Sequence, residues 1–227
     1  MNRIRVASFE SDGSLPAFKP RASNALPVSM KAKDPPSLKA WRRFSRLLER
    51  PGVIQGKLIR LWSVERHDLL KNYQWANDRE LIRLAGMNPL PKSVWEVERW
   101  YETSTTSPST QIFAIKSLDG EYLGNIELAD MEVRVGRAEV GVLVGERSFW
   151  GKGIGSDAVY TLCKFAFEEL RMHRLEARVL EHNERARRIF EKVGFKSEGI
   201  ERESHYAEGK WWNVTLLGLL ERELDEP

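Results

Sequence analysis

From Lys57 to the C-terminus the apolar positions change period several times, and each change marks an element. Residues 57–62 alternate as a half-buried strand, and helical spacing follows around Glu65–Trp75 and Ser93–Thr103. Three strand-like runs then follow: Gln111–Ser117, Glu121–Met131 and Arg137–Gly145. Asp119-Gly120 between the first two is a hairpin signal, so an antiparallel meander is expected. After a glycine-rich turn, Ala158, Val159, Leu162, Cys163, Ala166 and Leu170 recur three or four apart, the stripe of a helix facing a core. A strand at Leu175–Leu180, a helix at Glu184–Val193 and strands near Phe195–Tyr206 and Trp211–Leu220 complete the pattern. The expected class is α/β in the broad α+β sense, a mixed, mostly antiparallel sheet flanked by helices. Cys163 is expected in the core, and Trp211-Trp212 are expected to pack.

The first 56 residues read differently, so two regions are expected: an N-terminal extension, 1–56, and a folded domain, 57–227. Six of the ten prolines fall before residue 52, and Met1–Pro36 has no sustained apolar period, which predicts extended or poorly ordered chain. Within Leu38–Arg50, Trp41, Phe44 and Leu48 share a helical face ringed by Lys39, Arg42, Arg43, Arg46 and Arg50, a basic amphipathic helix ended by Pro51-Gly52. Such a helix packs on its own domain or on a second subunit of a homodimer, or docks on a ribosome, RNA or anionic membrane. An organellar import segment is a further reading, opposed by Glu10, Asp12 and Asp34.

Charge sharpens this division. Residues 1–56 hold eleven Lys/Arg against four Asp/Glu, a local +7, so the overall +3 leaves −4 on residues 57–227. A mildly acidic domain suits a cationic partner, although such a charge is also what a solvated surface carries. The single Cys163 excludes an intrachain disulfide, no Cys/His cluster has zinc spacing, and no apolar run reaches membrane-spanning length. A metal-free protein in a reducing, cytoplasmic setting is expected.

The chemistry lies in Val140–Ala158: an apolar strand, a glycine-rich turn and the start of a helix. Gly151, Gly153 and Gly155 let the backbone approach a ligand, the helix N-terminus favours an anion, and Lys152 adds a positive charge. The turn is not G-x-G-x-x-G, because Ser156 stands where the third glycine belongs, and G-x-x-x-x-G-K-[ST] is absent.

What remains, Trp150-Gly-Lys-Gly153-Ile-Gly155, resembles the pyrophosphate loop of the GCN5-related N-acetyltransferase (GNAT) superfamily. Downstream, Asn183-Glu-Arg-Ala186-Arg-Arg-Ile-Phe190-Glu-Lys-Val-Gly194-Phe195 is similar to that superfamily's N-x-x-A-x-x-x-Y-x-K-x-G-F segment, at the usual distance. The resemblance runs from about Lys57 to the C-terminus and is closest to the ribosomal-protein-alanine acetyltransferase-like branch, with Trp75-Ala-Asn-Asp78 as a further landmark.

The resemblance implies a GNAT fold whose sheet splays at the cofactor strand, and acetyl-CoA as co-substrate. Backbone groups of Val142, Leu143, Val144 and Gly145 would meet the pantetheine arm, and Lys152, Gly153, Ile154, Gly155 and Ser156 the pyrophosphate. Leu143 aligns with the residue whose N–H faces the thioester carbonyl. Asn183 would hold the pantetheine arm or the acetyl end by its amide. Glu139 matches the general base of the histone-modifying branch, with Glu127 and Asp130 as rivals and a solvent-facing strand carboxylate as the plain alternative.

The chain departs from the family at Phe190, where relatives carry a tyrosine that protonates the departing thiolate; Tyr206 and Ser204 are candidate substitutes. Trp150 replaces the Gln or Arg that often opens the loop. The expected activity is transfer of acetyl to a primary amine by direct attack in a ternary complex. The acceptor is a protein N-terminal α-amine or a small polyamine, amino sugar or aminoglycoside. From a different class, the missing tyrosine and basic helix fit a CoA-binding regulatory module without turnover.

Overall fold

A computed structural model describes residues 53–227. The expected helix at 38–50 lies outside the described residues. Eight strands form one sheet in the order β1-β2-β3-β4-β5-β6-β8-β7. They are β1 (Ile54–Gln55), β2 (Ile59–Ser63), β3 (Gln111–Ser117), β4 (Tyr122–Glu132), β5 (Arg137–Val144), β6 (Arg174–Leu180), β7 (Lys196–Ala207) and β8 (Lys210–Leu220). Five α-helices accompany them among the described residues: α1 (Leu69–Ala76), α2 (Arg79–Ala85), α3 (Val94–Thr106), α4 (Ile154–Glu168) and α5 (Glu184–Lys192). The elements expected from periodicity are present, with ends shifted by a few residues. Helix α2 and strand β1, which begins in front of the expected boundary at 57, are additions.

All neighbouring strands pair antiparallel except β5 and β6, which are parallel and joined through α4. That parallel pairing covers only Arg137–Glu139 against Arg174–Glu176. Beyond Glu139 the two strands part, leaving a gap that opens toward the glycine turn.

Alternation along β5 sorts its side chains between two cores. Ala138, Val140, Val142 and Val144 face α4 and join Ala158, Val159, Leu162 and Cys163 in the larger core. The Cys163 side chain is fully buried there, and burial pushes its thiol pKa up. Leu143 faces the other way, onto a smaller core of Val64, Trp75, Leu81, Ile112, Ala114 and Tyr122. Beside it Asn72, Tyr122 and Asn125 close a ring of hydrogen bonds. Asn72 Nδ2 donates to the Tyr122 hydroxyl at 2.8 Å, that hydroxyl donates to Asn125 Oδ1, and Asn125 Nδ2 donates to Asn72 Oδ1 at 2.6 Å. The Tyr122 phenol is thereby enclosed, and burial raises its pKa.

The tryptophan pair divides. Trp212 packs its ring 4.4 Å from His182 and carries Lys210 Nζ at 3.6 Å, whereas Trp211 stays 58% exposed with an edge contact to Tyr206.

Entry of the chain into the sheet is fixed by one carboxylate in the first turn of α4. Asp157 accepts from the amides of Lys57, Leu58 and Ile59 at 3.1, 2.7 and 3.1 Å and is nearly buried. Removing it orphans three amides, so Asp157→Ala is expected to destabilise the fold by about 2–4 kcal/mol, read as a lower urea midpoint at unchanged m-value. Asp157→Asn, which keeps an acceptor oxygen, is expected to lose less.

Candidate active site

The gap between β5 and β6 exposes backbone groups whose direction follows from the ladder. Gly145 N–H donates to Leu123 O at 2.9 Å, and the register sets Gly124 against Val144, Asn125 against Leu143 and Ile126 against Val142. Bonded and non-bonded pairs alternate along an antiparallel ladder, so Leu143 exchanges its bonds with Asn125, while Val142 and Val144 turn N–H and C=O toward the gap. The Val144 carbonyl confirms this direction by accepting from Trp150 Nε1 at 2.7 Å. The expectation that Leu143 presents its amide to a thioester is therefore corrected: that amide belongs to the ladder, and those of Val142 and Val144 face the gap. Leu143 still lines the cavity with its side chain.

The floor of the gap is the glycine turn. Gly151 and Gly153 have φ of 75° and 83°, left-handed values that glycine adopts without steric penalty. The first backbone bond into α4 is Asp157 N–H to Gly153 O, and among the described residues no acceptor lies in good geometry on the amides of residues 151–156. A run of free amides at a helix N-terminus is an anion cradle. Gly153, Ile154, Gly155 and Ser156 line a cavity of about 530 Å³, together with Val142, Val144 and Asn183. Lys152 does not line it; its ammonium lies 5.2 Å from the centre of the Phe149 ring.

Helix α5 closes the far side and adds what the sequence reading missed. Arg185, Arg188 and Lys192 line the cavity beside Ala186 and Ile189. Spacings of three, four and seven bring cations to one helical face, and that was the available signal. Arg185 stacks its guanidinium 4.0 Å from the centre of the Trp150 ring, with Arg147 at 5.6 Å from the same centre. The indole thus occupies the loop position between two cations while bonding the cofactor strand's carbonyl.

Asn183 lines the cavity, but its amide is engaged in structure. Its Oδ1 caps α5 by accepting from Ala186 N at 3.0 Å, and its Nδ2 donates to Leu84 O of α2 at 2.8 Å. Next to it, His182 Nε2 donates to Arg83 O at 2.9 Å. The other end of α2 is held by Asp78, which caps the helix through Glu80 N and Leu81 N and takes Arg147 on both oxygens at 2.7 and 2.8 Å. These caps and the Arg147 pair hold the Asp78 carboxyl below the usual range against the opposing effect of burial. Helix α2 therefore spans the mouth of the gap, anchored just beyond β5 at one end and just beyond β6 at the other.

Phe190 does not reach the cavity. It is 3% exposed and packs edge-on against Phe195 at 5.0 Å, so the residue expected from the resemblance to stand beside the cofactor, and counted there among the cofactor-binding candidates, has a core role. Tyr206 and Ser204 lie on β7 and do not line the cavity.

Glu139 is the last β5 residue paired with β6. Its carboxylate has no hydrogen bond or ion pair among the described residues, and its pKa is pushed up to about 7. Burial is the main cause, opposed by Arg178 and reinforced by Asp130, Glu127 and Glu176. Among the described residues no group of His, Cys, Asp and Glu is arranged to hold a metal, and no helix is long and apolar enough to cross a membrane.

Comparison with known proteins meets this geometry. The model of the acetyltransferase (GNAT) domain family matches residues 58–196. The N-acetyltransferase p20 of Bacillus licheniformis, itself uncharacterized, is 27% identical over 168 residues, 73% of this chain and 93% of the relative. Spermidine N(1)-acetyltransferase of Escherichia coli (strain K12) is 26% identical over 165 residues, 73% of this chain and 87% of the relative. The crystal structure of spermidine N-acetyltransferase from Vibrio cholerae in complex with CoA and spermine superposes with a TM-score of 0.68 at 22% identity, over 73% of this chain and 97% of that one, a likeness of fold. A strand parted from its neighbour, a glycine cradle at a helix N-terminus and a family match across both place the chain in the GNAT acetyltransferase family, as an N-acetyltransferase that uses acetyl-CoA.

Proposed function

We propose that the protein acetylates a primary amine of a small polycation of the polyamine kind, by direct attack in a ternary complex with acetyl-CoA. The observation that carries this reading is Glu139, a partnerless carboxylate with a pKa of about 7 where β5 leaves β6. An amine of pKa ~10.4 is less than about 0.1% neutral at pH 7, so its proton must be removed before its lone pair can attack. A carboxylate at its ordinary ~4.3 is a weak base for that task, and raising it toward neutrality improves the match. The likeness to a spermidine acetyltransferase and the net −4 of residues 57–227 support a cationic acceptor.

Acetyl-CoA supplies an activated acetyl thioester. The residues present suit it. Val142 and Val144 turn their N–H groups into the gap at strand spacing, one suited to a carbonyl of a pantetheine arm and the other a preorganised donor for a developing oxyanion. The amides of residues 151–156 with Arg185, Arg188 and Lys192 suit its phosphates. Asn183 acts by position, fixing α5 and α2 around the ligand. Direct attack is favoured because the one thiol, Cys163, is sealed in the core with a raised pKa.

Gly153→Glu is expected to weaken CoA binding by about 10²-fold or more, by placing a carboxylate in the anion cradle. Calorimetric titration with CoA measures it, and Gly153→Ala separates backbone strain from charge. An unchanged dissociation constant in folded Gly153→Glu removes the cradle from the cofactor site.

Glu139 is protonated below about pH 7 and ionised above it, so wild-type kcat/KM should climb through that region as the base forms. Glu139→Gln is expected to lower kcat/KM by about 10²-fold at pH 7, with the deficit shrinking as free amine accumulates at higher pH. Rates with spermidine and with N-terminal peptides between pH 6 and 9 provide the measurement. Identical profiles for wild type and variant exclude Glu139 as the base, and turnover of peptides but not spermidine reassigns the acceptor.

A further inference from the structure

The sheet face opposite α4 carries a second carboxylate that the proposal above does not use. Asn125, Glu127 and Ala129 of β4 stand opposite Leu143, Gly141 and Glu139 of β5. Glu127 thus faces the glycine between Leu143 and Glu139. A β-carbon on Gly141 would meet Glu127 Oε1 at 3.0 Å and Cγ at 3.1 Å, so the Glu127 side chain lies folded across β5 in the room a side chain there would fill.

Three other carboxylates of this face have cationic partners. Glu132 pairs with Arg137, Glu176 with Arg174 at 2.8 Å, and Glu201 with Arg178. Glu127 has no hydrogen bond or ion pair among the described residues, although it is withdrawn from solvent far enough for burial to raise its pKa, with Asp130 adding to the rise. A half-buried carboxylate without a partner is costly to the fold, and such groups gather at ligand sites. Two such groups, Glu127 and Glu139, lie on adjacent strands next to the gap, and the charge of Glu127 strengthens the hold of Glu139 on a proton.

Resting on the acceptor reading above, we infer that Glu127 and Glu139 receive the acceptor's ammonium as one unit, and that Gly141 is the slot that brings them together. The stoichiometry of amide formation fits two carboxylates. R–NH3⁺ must lose one proton to free its lone pair and a second once the C–N bond has formed and the C–S bond has broken with its electron pair on sulfur. The pair accepts both protons. One then passes to the CoA thiolate and the other to solvent, so net release is one proton per turnover. Phe190, packed in the core, supplies no proton in this scheme. The other charges bearing on the pair are Asp130, Glu176 and Arg178.

The test uses the full chain with acetyl-CoA and spermidine, in wild type, Glu127→Gln, Glu139→Gln and the double variant, between pH 6 and 9. Each single variant is expected to lose about 10²-fold in kcat/KM at pH 7 with CoA affinity unchanged, and the double to fall little further, because groups acting as a unit are not additive. Gly141→Ala, whose methyl presses on Glu127 Oε1, is expected to raise KM for spermidine at unchanged CoA affinity. Glu127→Gln with wild-type rates and pH profile overturns the inference, as do losses that multiply in the double variant.

A readout independent of turnover separates this inference from the acceptor reading. Carboxyl ¹³C titration of the CoA-bound protein is expected to show the Glu139 midpoint falling in Glu127→Gln, and both midpoints falling when spermidine is added to wild type. Absence of either shift overturns the pair. Both shifts without acetylation of any amine uphold the pair and overturn the acceptor reading.

Discussion

The structure depends on five residues of β5 that have a neighbour on only one side. A sheet strand ordinarily satisfies its amides and carbonyls on both edges, and buried backbone groups without partners are costly. Here β6 leaves after Glu139, so Val140–Val144 are held by β4 alone. The strand keeps its place because its side chains are anchored independently of its hydrogen bonds: Val140, Val142 and Val144 in one core, Leu143 in the other. Packing on both faces compensates for pairing on one edge.

Helix α2 keeps the two strands from closing or separating further. It has seven residues, too few to be stable from its own hydrogen bonds, and its definition comes from its ends. Asp78 with Arg147 fixes it to the loop after β5, and His182 with Asn183 fixes its last carbonyls to the loop after β6. The family-like Trp75-Ala-Asn-Asp78 thereby has a physical account. Asp78 starts α2, and Asn77 bonds Lys92 through both its amide groups, steadying the approach to α3.

Most of the architecture was legible because alternation and helical spacing are strong over long elements. Gln111–Ser117 is legible as a short apolar run, Ile112–Ile115, ahead of the Asp119-Gly120 turn. Helix α2 escaped because seven residues, Arg79–Ala85, hold too few turns to show a stripe, even though Asp78 and Gly86 bracket it as N-cap and C-cap. The glycine cradle was legible because it is contiguous. The sidedness of the Leu143 amide was not, because it depends on which residue of β4 stands opposite. Phe190 was placed by alignment with a tyrosine, whereas its ring direction is set by Phe195. Glu139 could be named from spacing, but its raised pKa comes from burial and from Glu127, Asp130 and Glu176.

The outer edges of the sheet give its interior gap a further meaning. Strand β1 is two residues long, and β7 carries Lys196, Glu198, Glu201, Arg202 and Glu203, with its ladder interrupted between Ser197 and Gly199 and between Glu201 and His205. Short length, charge and bulges are the devices by which edge strands resist pairing with a foreign chain. The periphery is thus blunted against strand addition, while the free groups of Val142 sit in a slot walled by α2 and α5. A peptide strand brings side chains that the flanking helices must accommodate; a linear molecule with amides at intervals and no branches brings none. Discrimination between a protein strand and its chemical imitation is in this way a property of where the sheet leaves its backbone unpaired.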